Sequence, residues 1–268
     1  MTNGFYLYKG AWLNKTRPQF SVRLNKKECK LYLSQGGYLL RNIYDFDSAE
    51  SSFWFVIKDS FGGIEELSPK MRNQVRKSLK TYDVERVTAD IMLMVGYPIY
   101  KSAIDNYKVK ATSISELAFK KKIEKYTTLG NVDFWCVFEK QSHKAVAFAI
   151  NTCYSDCCNY NTMKANPAYL KNSTYPYYGL IYEMNRYYLD ELKLKYVNDG
   201  ARSITEHSNI QPFLIEKFNF RKAYCKLQIE YQWWMKLGVN VLYPFRNIIP
   251  VRTVKAILNM EAMKRGEY

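Results

Sequence analysis

The strongest constraint on the fold is a change of hydrophobic period near the middle of the chain. Residues 134–139 (FWCVFE) and 145–153 (AVAFAINTC) are short apolar runs separated by a polar turn over 141–144. Runs this short, aromatic and turn-bounded read as neighbouring buried strands, not as helix. A third strand is expected near 160–164, a short one at 196–199 ending on Gly200, and a last one over 220–231. The segments before and between them repeat at helical spacing. Ser68-Pro69 supplies a cap and a first-turn proline for a helix over 70–80. Met71, Val75 and Leu79 form its apolar stripe, and Arg72, Arg76 and Lys80 a basic one. Further helices are expected over 88–107 (kinked or split at Pro98), 115–126, 177–192, 210–218 (capped by Ser208-Asn209) and after Pro250, where Val251, Val254, Ile257 and Leu258 make the apolar stripe. That order is an α/β fold with a mixed central β-sheet flanked by helices.

The flanks are less regular. The first fifty residues read as an irregular arm or short-stranded cap. A compact hairpin is expected next, from a strand at 54–58 through Gly62-Gly63 to a return at 64–67. The expected organisation is an N-terminal arm over 1–50, one domain over 51–235 and a C-terminal helical tail over 236–268 packed on it. Trp233-Trp234-Met235 and residues 241–245, flanked by Lys236 and Arg246, either touch a membrane interface or lie under the last helix; packing is the expectation.

Composition limits the chemistry. With 47% hydrophobic residues, 24 Tyr and 14 Phe in 268 residues, the chain can bury a substantial core, which excludes disorder as its main character. Lys and Arg outnumber Asp and Glu by 40 to 25, a net charge of +15, which points to anionic partners. The run Lys120–Lys122 reads as a solvated helix face. No leader pattern and no stretch of about 18 apolar residues is present, so a cytoplasmic protein with reduced thiols is expected. Cys153, Cys157 and Cys158 cluster, but His143 and His207 are not at ligand spacing from them, and no metal is expected.

Three motifs carry a resemblance. Residues 72–80 (RNQVRKSLK) resemble the R-x-x-(I/V)-R-K-A-x-K helix of Fem-type aminoacyl transferases, relatives of the GNAT acetyltransferases. The pair FWCVFE and KAVAFAI is similar to the central GNAT hairpin. YVNDGAR followed by FLIEKFNFRKAY is similar to the late strand, helix and final strand of that superfamily. The resemblance spans about residues 54–232. It implies a GNAT-like sheet and direct transfer of an acyl or aminoacyl group from an anionic donor, acyl-CoA or aminoacyl-tRNA, to an amine. One departure matters. No Gln or Arg begins the Q/R-x-x-G-x-G/A loop with which ordinary acetyl-CoA enzymes cradle pyrophosphate. This favours an aminoacyl-tRNA donor, with tRNA as partner, or a fold that has lost catalysis. Nucleic-acid binding alone ranks last, because no RNP, KH or helix-turn-helix signature is present.

Candidate residues follow. Arg72, Arg76 and Lys77 would hold donor phosphates, or else form a solvated face paired with Glu65 or Glu66. Asp199, Gly200 and Arg202 lie past a strand end, where open α/β sheets gather ligands; Asp199 would accept the amine proton and Gly200 admit the donor, or the two would merely form a turn. His207 is a second candidate base or a surface residue at a helix start. Tyr224 would protonate the leaving group or sit as a core aromatic. The cysteines read as buried thiols.

Overall fold

A computed structural model describes residues 4–107, 113–204 and 210–267. In chain order the elements are β1 (Phe5–Tyr8), β2 (Ala11–Asn14), α1 (Lys26–Ser34), β3 (Leu39–Tyr44), β4 (Phe53–Lys58), α2 (Pro69–Thr81), β5 (Tyr82–Val87), α3 (Ala89–Asp105) and α4 (Glu116–Leu129). There follow β6 (Val132–Glu139), β7 (Ala145–Cys153), β8 (Cys157–Ala165), the short α5 (Pro167–Leu170), α6 (Pro176–Asn185), β9 (Tyr196–Ala201), α7 (Ile210–Phe218), β10 (Arg221–Tyr231), α8 (Trp233–Leu242) and α9 (Arg252–Arg265). Contacts divide the chain into two units. One gathers Met1–Val56, Ala201–His207 and Lys222–Tyr268; the other holds Ile57–Gly200 and Ser208–Arg221.

The second unit contains the expected mixed sheet without its last strand, β10, which falls almost entirely in the first unit. β5, β6, β7 and β8 pair antiparallel in that order, and β8 pairs parallel with β9. Strand alternation sorts the side chains onto two faces. Phe134 and Cys136 of β6 and Phe148 and Ile150 of β7 pack with Met92 and Ile99 of α3 and Phe119 and Ile123 of α4. Trp135, one residue out of phase, meets Tyr187 and Tyr188 beyond α6. α2 starts as expected, with the Ser68 hydroxyl capping Met71 N–H, and it buries Met71 and Val75. Its Ser78 accepts from the Gly179 N–H of α6 at 3.1 Å, a close helix–helix approach.

Three expectations change. Residues 64–67 do not return as a strand. They form a tight turn over Gly63–Glu66, held because Glu66 bridges the Gly62 N–H (2.9 Å) and the buried Lys58 ammonium (2.9 Å). α3 runs through Pro98 without splitting. The proline faces solvent, while Met92, Gly96, Ile99 and Ala103 are buried, so core burial outweighs the lost hydrogen bond. The helix expected over 177–192 is α-helical only to Asn185 and widens into a π-turn over Arg186–Glu191. The wider turn brings Tyr188 into the core with Leu189. The Ser208-Asn209 cap lies outside the described residues.

Where an irregular arm or a short-stranded cap was expected, the first unit has short strands, as in the second alternative, and a helix besides. β1 and β2 pair antiparallel, β2 and β3 parallel, and β3 and β10 antiparallel. α1, closed by an Asn25–Glu28 capping box, covers Phe5, Trp12 and Leu40 with Cys29 and Leu33. On the other side Leu39 and Ile229 meet Met260 of α9. Residues expected as arm and as tail thus share this unit with most of β10. α8 departs from the packing expectation. Val239 is its one buried residue, set against Leu258 and Ala262 of α9, while Trp233, Trp234, Leu237 and Val241 are exposed. Among the described residues no helix is long and apolar enough to cross a membrane.

Candidate functional site

The parallel pair β8–β9 is a place where the second unit's sheet opens. Its rungs are Cys157↔Tyr196, Cys158↔Val197 and Asn159↔Asn198, and there the pairing stops, although β8 continues to Ala165 and β9 to Ala201. The last rung is locked by side chains. Asn198 donates to Asn159 Oδ1 at 3.1 Å, and its own Oδ1 accepts the Gly200 N–H at 2.8 Å. On its other edge β8 carries a bulge. Ile150 faces Thr162 while Asn151 faces Tyr160, so Asn161 is an extra residue. Past Asn159, β8 is thus bulged on its β7 edge and unpaired with β9 on the other.

Asp199 stands at this opening. Burial pushes its carboxyl up to about 7, a rise moderated by a hydrogen bond with Gln211 of α7. Gln211 also donates to the Gly200 carbonyl at 3.4 Å. Gly200 has φ of +101°, a conformation that side chains resist, and a Cβ built there would meet nothing within 4 Å. The glycine is therefore required by backbone angle, and the space beside it is open. Tyr160, one residue past the last rung, donates to Asn185 Oδ1 at 2.8 Å. Burial raises its hydroxyl well above the ordinary value, and charge on Asp199 adds to the rise, so the two groups share one environment.

A polar chain runs from the buried Tyr188 out to the exposed Arg86. The Tyr188 hydroxyl accepts from Trp135 (2.8 Å) and Asn151 (3.3 Å) and donates to Asp133 (3.0 Å), whose other oxygen accepts from Arg86 (2.8 Å). Asn151 Oδ1 has no partner among the described residues. Cys153 and Cys158 face each other across β7 and β8 with their sulfurs 3.1 Å apart. Burial raises the Cys158 thiol and pushes Cys136 and Cys225 up to about 12 and Cys29 to about 11. None of these four is a thiolate near neutral pH, so none is a ready nucleophile.

The other residues singled out in the sequence lie elsewhere. Arg72 and Arg76 both pair with Glu65, Arg76 at 3.5 Å, and the Lys77 ammonium sits 5.9 Å from the Tyr175 ring centre. The solvated-face alternative thus describes their contacts. Arg202 belongs to the first unit, where it donates to the Ser52 carbonyl (2.6 Å) and stacks on Trp54 at 4.0 Å. Tyr224, also in the first unit, donates to Glu50 at 3.3 Å. His207 lies outside the described residues. The first unit has its own cavity of about 170 Å³, lined by Asn14, Thr16, Pro18, Arg41, Ile43 and Phe55, but that lining offers a cation and a hydroxyl and no base.

Tyr160, Asn159, Asn198 and Gln211 were not singled out from the sequence as site residues. Asn198 sits beside Asp199 in the motif YVNDG and was the legible one; the others depend on where two strands part.

No family profile and no curated protein matches this sequence. Solved structures do. FemX aligns at TM-score 0.51 and 12% identity over 66% of this chain and 60% of FemX, so the chain spans less than two thirds of that protein. The C-terminal domain of a putative lysylphosphatidylglycerol synthetase from Agrobacterium fabrum aligns at TM-score 0.53 and 10% identity, covering 89% of this chain and 84% of that one. L-PGS from Bacillus licheniformis aligns at TM-score 0.51 and 13% identity, covering 97% and 85%. The chain shares the fold of these three proteins, a mixed α/β sheet flanked by helices.

Proposed function

We propose that this protein is an acyl or aminoacyl transferase that works at the β8–β9 opening, with Asp199 as general base. The observation that carries the reading is a carboxyl raised to about 7 by burial, at a strand end, beside an opened strand edge. A base with such a value holds its proton weakly enough to be free near neutral pH and strongly enough to take one from an attacking amine. The donor carbonyl would lie along the β8 edge past Asn159. Backbone N–H groups there would receive the negative charge that develops on its oxygen as the amine adds. The amine proton passes to Asp199, the ester or thioester bond breaks, and the donor's hydroxyl or thiol leaves. Asp199, now protonated, returns that proton to the leaving group, while the buried Tyr160 phenol keeps donating to Asn185.

Aminoacyl-tRNA is the donor the chain suits better. The segment joining β8 to α6, residues 166–175 (NPAYLKNSTY), contains no glycine, so a loop cradling pyrophosphate at that helix start is absent. A net charge of +15 suits a polyanionic donor in the cytoplasm, where charged tRNA is found. The structural likeness to FemX and to lysylphosphatidylglycerol synthetase supports the same direction.

The test is a donor screen on the full chain. Radiolabelled aminoacyl-tRNA and acetyl-CoA are each incubated with a panel of primary amines, and label appearing on an amine is counted. Transfer from aminoacyl-tRNA, with acetyl-CoA inert, is expected. Transfer from acetyl-CoA alone would overturn the donor assignment. No transfer and no donor binding would leave a silent GNAT-like module.

A further inference from the structure

We infer that the first unit docks on an anionic membrane surface through α8 and the segment that follows it. An outward-facing helix of a water-soluble unit carries charged and polar residues on its free face. α8 does the reverse. Val239 is buried and Met235 joins the same cluster against α9, so that side of the helix is already satisfied. At helical spacing, Trp233, Leu237, Val241 and Trp234 form the opposite arc, and all four are exposed, Trp233 at 77%. The apolar surface continues through Phe245, Ile248 (77% exposed) and Val251. Scattered exposed apolar residues are ordinary, but eight large ones in nineteen consecutive positions, counting Leu242, form a patch.

Charge selects the occupant. Residues 231–260 contain Lys236, Arg246, Arg252 and Lys255 and no Asp or Glu. Lys236 and Lys255 are exposed and make no ion pair among the described residues. A second copy docking through this face in a two-fold contact would bring Lys236 and Lys255 of both copies together, while the neighbouring carboxylates are already engaged, Glu267 by Arg246 and Glu261 by Lys264 and Arg265. An anionic lipid surface matches both features: tryptophans settle at the headgroup level, leucine, valine and phenylalanine enter the acyl boundary, and lysines meet the lipid phosphates. At ten residues, α8 is an element that lies in the interface and does not span it. The contact is independent of the chemistry at Asp199.

The experiment is co-sedimentation of the full chain with vesicles of phosphatidylcholine alone and of phosphatidylcholine with about one third phosphatidylglycerol. The variants are Trp233→Ser/Trp234→Ser/Leu237→Ser and Lys236→Glu/Lys255→Glu. All five positions are exposed, so thermal melts should match the wild type and keep folding out of the comparison. Binding to the anionic vesicles is expected, weak on neutral ones, falling as salt rises. The triple variant should bind at least tenfold more weakly, and the charge variant should lose the preference for anionic lipid. Brominated acyl chains should quench tryptophan fluorescence in the wild type and fail to do so in the triple variant. Absence of binding, or equal binding by the triple variant, would overturn the inference. A wild-type dimer in sedimentation velocity, dissociated by the triple substitution and indifferent to vesicles, would overturn it in favour of a second copy.

Discussion

At the scale of single residues, Asp199 carries the account, and its environment predicts a stability signature separate from activity. Its carboxyl is raised from the ordinary aspartate range to about 7, so the folded protein binds that proton more tightly than the unfolded chain does. The stabilising contribution is complete below about pH 4 and is lost as pH rises through 7. Asp199→Asn cannot ionise. It should match the wild type near pH 4.5 and exceed it at pH 8 by about 1–4 kcal/mol. Urea unfolding at both values checks this. A gap of equal size at both would mean that the carboxyl is not perturbed. Asp199 and Gly200 were legible in the sequence because an Asp-Gly pair after a short apolar strand marks a strand end. Tyr160 was not, because one tyrosine among 24 has no local signature. Its place beside the opening is set by the Asn159↔Asn198 rung, a contact made across the sheet.

Elements were legible where local chemistry and burial agree. α2 has a serine cap, a first-turn proline and an apolar stripe, and it forms where expected. The widening after α6 was not legible. A π-turn costs nothing in the hydrophobic pattern, and the pattern alone cannot tell it from a continued helix. The basic stripe of α2 shows the reverse case. The Fem-like motif is present, yet Arg72 and Arg76 rest on Glu65, an exposed pairing of the kind worth under about 1 kcal/mol. The seat of α2 on α6 is the stronger structural feature. A Cβ added at Gly179 would stand 2.6 Å from Ser78 Oγ and 3.3 Å from its Cβ, and Ser78 is fully buried. Gly179→Ala should therefore destabilise by about 1–3 kcal/mol through overpacking. A thermal melt reads this directly; an unchanged midpoint would mean that the two helices part without cost.

At the scale of the whole molecule, the period change at residue 134 and the order of helices and strands foretold a mixed α/β sheet, and the resemblance carried by three motifs pointed to the fold shared with FemX. The division into two units was not foretold. The first unit is assembled from both ends of the chain, and pairings such as Ile229 with Arg41 join residues too far apart for any local pattern to report. The outward apolar face of α8 was read as packing for the same reason: an apolar stripe records what a helix can bury and not what it meets. Asp199 and Gly200 lie where β8 and β9 part, and the proposed transfer requires that Asp199 take the amine proton there. The most direct measurement is the rate of aminoacyl transfer from charged tRNA to a primary amine between pH 5 and 9, for the wild type and for Asp199→Asn. The wild-type rate should climb about tenfold per unit up to pH 7 and then level, while the variant should be slower by about 10²–10⁴-fold, with that break at pH 7 gone. A variant that keeps the wild-type rate and the same break near pH 7 would contradict the role of Asp199.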